Sequence, residues 1–184
     1  DQDVDDDDLK KYSLPDSTFS ADSLHIENLR HRAKSYTPMA GNHLSKSLLL
    51  DCSKGAPHTW LAGLLKEYGV SCQEVSNRAE NMNQNCGAGE LSPTDKWTFK
   101  EASLSPHLLI RSLKKQPPGL VVGAALDGDG DRCLMIRSTD AGFEVIDGDE
   151  MADIILRTAD KAFQLAASIE SDLSLLTSLT RLDA

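Results

Sequence analysis

Apolar residues in this chain form short runs separated by polar turns that contain glycine, proline or asparagine. Residues 47–52 form one such run and predict a strand, and the apolar positions of residues 60–65 recur at helical spacing after it. Gly69 ends that helix, and residues 70–75 predict a second strand. A strand, a glycine-containing turn, a helix and a strand in this order make a βαβ unit, so the sequence predicts an α/β fold.

The second half of the chain continues this alternation after a polar stretch. Residues 76–105 carry no clear periodicity and are predicted to be a long irregular loop, whereas residues 108–113 predict a short helix. Further strands are predicted over residues 120–126, 133–136 and 143–146. The segment that connects the first two of these strands holds the most informative residues of the chain.

This segment, residues 127–132, is called the acidic loop below. It carries a carboxylate at every second residue, with Asp127, Asp129 and Asp131 separated by glycines. Side chains two positions apart in an extended or gently turning backbone point the same way, so the three carboxylates can converge. Clustered acids disfavour one another's ionised form, and a hard divalent cation with oxygen ligands relieves that repulsion. The pattern therefore predicts a metal site.

Arg132 closes the acidic loop with a forked donor that suits a phosphate beside the metal. An EF-hand loop also begins with alternating acids, but it needs glycine at its sixth position and glutamate at its twelfth, where this chain has Arg132 and Ser138. A solvated turn is the other interpretation, because hairpins favour aspartate and glycine. The full alternation directly after an apolar strand favours the metal site.

A second acidic stretch, Asp147-Gly148-Asp149-Glu150, precedes apolar residues at helical spacing. Aspartate is a preferred N-cap, and further acids are favoured by the dipole of the first helical turn. This stretch is therefore predicted to begin a helix and not to bind a ligand.

Charge and composition divide the chain into three parts. Six of the first eight residues are aspartates in a chain of net charge −10, so residues 1–43 are predicted to be an acidic, disordered tail and linker, within which residues 15–40 allow a short helix. Residues 44–158 form the predicted α/β domain. Residues 159–184, where leucines alternate with small polar residues, predict a C-terminal helical extension.

Composition also argues against several classes of protein. Lysines and arginines are scattered among acids, so no nucleic-acid partner is expected. No apolar run reaches membrane-spanning length and no positive region near the N-terminus adjoins an apolar one, so a cytoplasmic protein without a membrane partner is predicted. The four cysteines form no Cys-x-x-Cys pair and the five histidines show no paired spacing, which predicts reduced thiols and no zinc site.

Four stretches give the chain a resemblance to the second, metal-binding domain of the α-D-phosphohexomutase superfamily. The resemblance extends from about Leu44 to Thr158, and it implies a three-layer α/β domain with a mixed sheet and flanking helices. The acidic loop marks the superfamily, and the two cysteine-containing stretches favour its acetylglucosamine branch. The four stretches are Asp51-Cys52-Ser53-Lys54-Gly55-Ala56, Asn85-Cys86-Gly87-Ala88, Asp127-Gly128-Asp129-Gly130-Asp131-Arg132 and Val145-Ile146-Asp147-Gly148-Asp149.

The resemblance implies that Asp127, Asp129 and Asp131 bind Mg²⁺ and that Arg132 contacts a phosphate group in the catalytic site. The implied enzyme is an intramolecular phosphotransferase that interconverts N-acetylglucosamine 6-phosphate and 1-phosphate for UDP-N-acetylglucosamine biosynthesis. The Ser-His-Asn-Pro signature that holds the family's nucleophilic serine is absent from the sequence. The chain is therefore interpreted as a fragment that is inactive alone and can associate with other mutase domains.

Two alternatives stay open at this point. One is a non-catalytic interaction module, a degenerate mutase fragment that associates with a partner through an apolar flank. The other is a different phosphohexomutase, such as a phosphoglucomutase or a phosphomannomutase.

The chain also departs from the family at two positions. Gly89 replaces a usual aspartate, and Gly130 stands where alanine is more common, a change predicted to be sterically harmless.

Overall fold

The structure, a computed structural model, describes residues 21–33 and 44–158, and the chain divides into two compact units, residues 1–39 and 40–184. In the first unit, helix α1 spans Ala21–Ala33. It lies within the range predicted to be tail and linker, at the place where a short helix was allowed. The predicted acidic tail and C-terminal helical extension lie outside the described residues, and the division of the chain into three parts stays a prediction.

The described part of the second unit alternates strands with short helices. One-turn 3₁₀ helices occur at Ala56–Thr59, Ser76–Arg78 and Ala88–Glu90. None of the described helices is both long and apolar enough to cross a membrane. The remaining elements are β1 Leu44–Asp51, α2 Leu61–Glu67, β2 Cys72–Glu74, β3 Lys96–Thr98, α3 Phe99–Leu104, α4 Leu108–Ser112, β4 Val121–Leu126, β5 Cys133–Ser138, β6 Gly142–Ile146 and α5 Gly148–Thr158.

Six strands form one mixed sheet in the order β2-β1-β4-β5-β6-β3. Strand β1 pairs in parallel with both β2 and β4, and the other neighbours are antiparallel. The parallel pairing of β1 with β2, with Leu48 opposite Cys72, confirms the predicted βαβ unit. The α/β class with a mixed sheet is confirmed as well.

Apolar side chains cover both faces of this sheet, which makes the domain three-layered. On one face, Leu48 and Leu50 of β1 pack with Leu61 and Leu65 of α2. On the other face, α4 packs with the middle of the sheet through Leu109 and Ile110, which are fully buried together with Ala125 and Ile136. Burying a leucine side chain contributes roughly 1.5–3 kcal/mol, so both layers stabilise the sheet.

Gly123 explains how α4 approaches β4 so closely. A Cβ added at this residue would lie 3.1 Å from Leu109 Cδ1 and 3.3 Å from Leu113 Cδ2. The pairing register of β4 with both of its neighbours also shifts just before or at Gly123. The glycine therefore fits a bulged position over which a helix packs.

The prediction of an irregular loop over residues 76–105 is wrong at its end, where β3 and α3 lie. Strand β3 pairs antiparallel with β6, with Trp97 opposite Phe143. Helix α3 begins with a capping box, since Thr98 Oγ1 accepts a hydrogen bond from the Glu101 backbone N–H at 3.2 Å and the Glu101 carboxylate accepts one from the Thr98 N–H at 2.8 Å. The Thr-x-x-Glu pattern is a known helix-start signal.

Candidate metal centre

The acidic loop joins β4 to the antiparallel strand β5, and Leu126 and Cys133 pair directly on either side of it. Because β1 runs parallel to β4, the residues that follow β1 emerge at the same edge of the sheet. Residues 52–57 are called the β1 loop below, and residues 81–87, which follow β2, are called the asparagine loop. All three loops meet at this edge, beyond the carboxyl ends of the parallel strands, where α/β sheets commonly bind ligands.

The predicted metal ligands converge in the structure. Asp127, Asp129 and Asp131 each offer an oxygen, and these three atoms lie within 4.8 Å of one another. Asp127 is buried, whereas Asp129 and Asp131 are exposed. Mg²⁺ holds oxygen ligands at about 2.0–2.1 Å, so neighbouring ligands of an octahedron lie roughly 3 Å apart and opposite ones roughly 4 Å, and a bound ion would draw the three oxygens closer together. Among the residues described, no other three potential ligand side chains come together in this way.

Asp127 organises the backbone of the acidic loop around its buried carboxylate. Its Oδ1 accepts hydrogen bonds from the backbone N–H groups of Gly130 and Arg132, both at 3.1 Å. Its Oδ2 accepts a hydrogen bond from Arg132 Nε at 2.6 Å. The turn that makes these bonds passes through Gly130 at φ +80°, a left-handed conformation that favours glycine.

The pKa values of the aspartates reflect an excess of negative charge in the cluster. Burial alone would raise the pKa of Asp127, but hydrogen bonds and charge from Arg132 outweigh it and bring this pKa to about 2. In contrast, the pKa of Asp131 is raised, mainly by the charges of Asp129 and Asp127. A cation between the three carboxylates would remove that repulsion, so the donor set fits a hard divalent ion.

Arg132 pairs with Asp127, and its side chain is 69% exposed. The exposed guanidinium borders the same open cavity, of about 680 Å³, as the three aspartates. Its contact with a phosphate stays a prediction, although its place beside the acids fits that role. The cavity is lined by Ala56, Met82, Asn83, Asp127, Gly128, Asp129, Asp131 and Arg132.

The β1 loop supports the acidic loop through two hydrogen bonds, one to the last residue of β4 and one to the backbone of the acidic loop itself. Ser53 Oγ donates to the Leu126 carbonyl at 2.7 Å, and the Ala56 N–H donates to the Gly128 carbonyl at 2.8 Å. Gly55 must lack a side chain here, because a Cβ would overlap the Gly128 backbone. The β1 loop carries one of the stretches that resemble the phosphohexomutases, but the sequence alone indicates no role for Ser53. Its partner Leu126 lies 73 positions further along the chain, and no local pattern connects the two residues.

Pro57 lies so close to Gly130 that it restricts which residues can occupy position 130. Glycine itself is accommodated without strain, in line with the prediction that it is harmless. Alanine at position 130 would not be harmless in this chain, because its Cβ would lie 2.6 Å from Pro57 Cγ. The left-handed φ of this residue would add further strain. In this chain Gly130 is therefore required by the contact between the acidic loop and the β1 loop.

Asp147 caps α5, as predicted for the second acidic stretch. Its Oδ1 accepts a hydrogen bond from the Glu150 N–H at 2.8 Å, and its carbonyl accepts one from the Met151 N–H at 3.0 Å. Glu150 then pairs with Arg137 at 2.7 Å. These carboxylates are used within the fold.

Known proteins resemble this chain over the greater part of its length. No protein-family model matches it. A phosphoglucosamine mutase of Pseudomonas fluorescens is 29% identical over 138 residues, which cover 74% of this chain and 26% of that protein. The phosphoglucosamine mutase of Nitrosococcus oceani is 31% identical over the same coverage of both proteins. A crystal structure of N-acetylphosphoglucosamine mutase from Aspergillus fumigatus, in complex with GlcNAc-6P and magnesium, covers 71% of this chain and 24% of that one at 23% identity and a TM-score of 0.45.

These sequence matches confirm the resemblance to the phosphohexomutase superfamily. The chain is a homologue of phosphoglucosamine mutases over part of their length. The chain spans about a quarter of the length of the curated relatives it matches, 26% for each of the two bacterial enzymes.

Proposed function

We propose that the α/β unit is the Mg²⁺-binding domain of a phosphosugar mutase of the phosphoacetylglucosamine mutase type. The reaction would interconvert N-acetylglucosamine 6-phosphate and 1-phosphate, on the route to UDP-N-acetylglucosamine. The observation that carries the proposal is the convergence of Asp127, Asp129 and Asp131 within 4.8 Å. The relatives in sequence, which are phosphosugar mutases, support the same conclusion.

The charges of the site suit an anionic phosphoryl group. Three carboxylates and one divalent cation leave a single negative charge, which Arg132 offsets. When bound, Mg²⁺ supplies stabilisation for the charge on the oxygens of a phosphoryl group during transfer. In this proposal Asp127, Asp129 and Asp131 hold the ion, and the exposed guanidinium of Arg132 donates hydrogen bonds to the phosphate.

Metal binding can be tested by thermal melting of the chain with increasing Mg²⁺ or Mn²⁺. The acidic loop offers three carboxylates and leaves the other octahedral positions to water, so affinity on the order of 1 mM is expected. At tenfold that concentration, the ion would stabilise the domain by about 1.4 kcal/mol. Asp129→Asn should fold and lose this response. Equal stabilisation of both proteins, or a variant that cannot fold, would indicate that the acidic loop is a structural turn.

The isolated chain is proposed to be inactive, because the Ser-His-Asn-Pro signature does not occur in it. Purified chain incubated with N-acetylglucosamine 6-phosphate, Mg²⁺ and a bisphosphorylated sugar activator should give no 1-phosphate. A full-length mutase serves as the positive control. Robust turnover by the chain without any other polypeptide would refute its inactivity.

Glucosamine 6-phosphate is a second candidate substrate, because the matched bacterial relatives are phosphoglucosamine mutases. A chimera in which residues 44–158 replace the corresponding part of the Pseudomonas fluorescens enzyme tests the domain in a whole mutase. The chimera should interconvert the phosphates of one of the two amino sugars, and Asp129→Asn should abolish that activity. A folded chimera that acts on neither sugar would contradict the proposal.

The alternative of an interaction module has weaker support among the described residues. Their exposed large apolar side chains lie on separate parts of the fold, and single residues of this kind are ordinary on soluble proteins. They are Leu44, Tyr68, Met82, Leu104 and Ile154. Light scattering of the purified chain distinguishes the two functions, since self-association without a metal response would favour the interaction module.

A further inference from the structure

Ser53 is a fully buried residue that reaches the strand before the acidic loop. Its hydroxyl donates a hydrogen bond of 2.7 Å to the carbonyl oxygen of Leu126, the residue directly before Asp127. We propose that Ser53 is a positioning residue for the metal centre, because its hydroxyl fixes the Leu126 carbonyl and thereby the direction in which β4 presents Asp127. This inference rests on the proposed metal-binding function of the acidic loop.

Ser53 is itself held from several sides. Its N–H donates to Asp51 Oδ1 at 2.9 Å, and its carbonyl accepts a hydrogen bond from the Asn83 N–H at 3.1 Å. The other oxygen of the buried Asp51 accepts a hydrogen bond from the Gly87 N–H at 2.8 Å. The β1 loop and the asparagine loop are thus joined through one carboxylate, which leaves the Ser53 backbone little freedom.

Gly87 makes the space into which the Ser53 hydroxyl points. A Cβ at Gly87 would overlap Ser53 Oγ and would lie 2.8 Å from the Leu126 carbonyl oxygen. The hydroxyl is therefore enclosed between Gly87 and Leu126, and its hydrogen bond has a defined direction.

The backbone conformation of Ser53 is a second, independent observation. Its φ is +54°, in the left-handed region that glycine adopts at much lower cost than serine. A strained conformation persists where the surrounding structure determines it and is frequent at functional sites. Glycine would relieve this strain but has no hydroxyl, so the hydrogen bond to Leu126 gives a physical reason for serine.

The hydrogen bond from Ser53 to Leu126 would affect metal binding through the position of Asp127. The peptide group between Leu126 and Asp127 sets the position of the Asp127 backbone, and the Asp127 carboxylate in turn binds the N–H groups of Gly130 and Arg132. Octahedral coordination tolerates little displacement of a ligand. Groups that orient metal ligands commonly affect metal affinity about tenfold or more.

Ser138 provides a matched control for Ser53. It is also fully buried, and its hydroxyl also donates to a backbone carbonyl, that of Gln116, at 2.9 Å. Ser138 is the last residue of β5, which runs antiparallel to β4, so it lies at the edge of the sheet opposite the acidic loop. Alanine at either position removes one hydrogen bond donated by a buried serine, but only one of the two bonds leads to the metal centre.

The test measures Mg²⁺ and Mn²⁺ affinity of the full 184-residue chain by calorimetry, for wild type, Ser53→Ala and Ser138→Ala. Both variants should melt at lower temperature than wild type, and only Ser53→Ala should bind either ion more weakly, by about tenfold. Ser53→Gly, which relieves the left-handed strain, should melt closer to wild type and still bind weakly. Wild-type affinity in Ser53→Ala or Ser53→Gly, or an equal loss in Ser138→Ala, would overturn the inference.

Amide hydrogen exchange in the metal-free chain separates this inference from the proposed function. Ser53→Ala should speed exchange of the Gly130 and Arg132 amides, which bind Asp127, relative to Ser138→Ala at matched stability. If wild type binds neither ion, the proposed function fails, and exchange alone decides whether Ser53 positions the acidic loop. Unchanged exchange of these two amides in Ser53→Ala would refute the positioning role.

Discussion

Two Asp-Gly-Asp stretches lie 20 residues apart in this chain and adopt different structures. Asp127, Asp129 and Asp131 gather their carboxylate oxygens at one point beside Arg132. Asp147 instead caps α5, and the acids after it occupy the first turn of that helix. Composition alone therefore does not decide whether the carboxylates of an acidic stretch converge.

The difference arises from the backbone that follows each stretch. In the acidic loop, Gly130 adopts a left-handed φ of +80° and the chain turns back into β5 within six residues. After Asp147 the chain enters a helix, which sends successive side chains to different sides of its axis. A left-handed glycine between two strands is thus the feature that converts alternating acids into a cluster.

The largest difference in stability between the two stretches is expected when the glycine in each of them, Gly130 or Gly148, is replaced by alanine. Gly130→Ala places a Cβ 2.6 Å from Pro57 Cγ at a left-handed residue, which should lower the free energy of unfolding by about 2–4 kcal/mol. Gly148→Ala meets no atom within 4 Å and lies in the first turn of α5, so it should be neutral or stabilise by up to about 1 kcal/mol. Urea unfolding measures both values. Equal effects would remove the distinction between the two turns.

The second effect concerns the metal response of the two stretches. Asp129→Asn should abolish the stabilisation of about 1.4 kcal/mol expected at high Mg²⁺, whereas Asp149→Asn should keep it. Thermal melting with and without Mg²⁺ compares the two variants at identical charge. A response that disappears in both would indicate diffuse attraction of cations to an acidic protein.

A smaller effect is expected at the helix cap. Asp147→Ala removes the acceptor for the Glu150 N–H and should cost about 1 kcal/mol of stability. Because this cap does not belong to the proposed metal centre, the Mg²⁺ response should be unchanged. Weaker Mg²⁺ binding in this variant would show that the two stretches are coupled.

The smallest effect at neutral pH is expected for Arg132→Gln. The side chain of Arg132 is 69% exposed, so loss of its ion pair with Asp127 should change stability by less than about 1 kcal/mol. Arg132 holds the pKa of Asp127 at about 2, below its ordinary 3.8, so its stabilisation is present above pH 3.8 and is lost as the pH falls through 2.

Removing Arg132 should therefore flatten the decline in stability over this acid range. Urea unfolding between pH 2 and pH 4 in a chelator compares Arg132→Gln with wild type. An unchanged slope would mean that the pair contributes nothing to acid sensitivity.

Much of the fold could be predicted from the apolar runs. Residues 120–126 were predicted as a strand and β4 spans Val121–Leu126, while residues 108–113 correspond to α4 at Leu108–Ser112. Strand β3 was missed because three residues are too few to show an alternation, and its order is set by pairing with β6. The capping box at Thr98 was available in the sequence and would have located α3.

The candidate site was predictable only where its signal is local. The alternation of Asp127, Asp129 and Asp131 with glycine lies within five residues, so it was visible in the sequence and the carboxylates converge as expected. The bond from Ser53 to Leu126 spans 73 residues and depends on how β1 and β4 align. Tertiary contacts of this kind leave no local pattern.

The same difference in range has a consequence for the order of folding. Closing the hairpin from Leu126 to Cys133 orders only a few intervening residues, whereas bringing Ser53 to Leu126 requires a much longer loop closure. We therefore expect the β4–β5 hairpin to gather its three carboxylates early, against their mutual repulsion, and the β1 loop to dock on them afterwards. Divalent cations present during refolding would then accelerate a step that precedes the parallel pairing of β1 with β4.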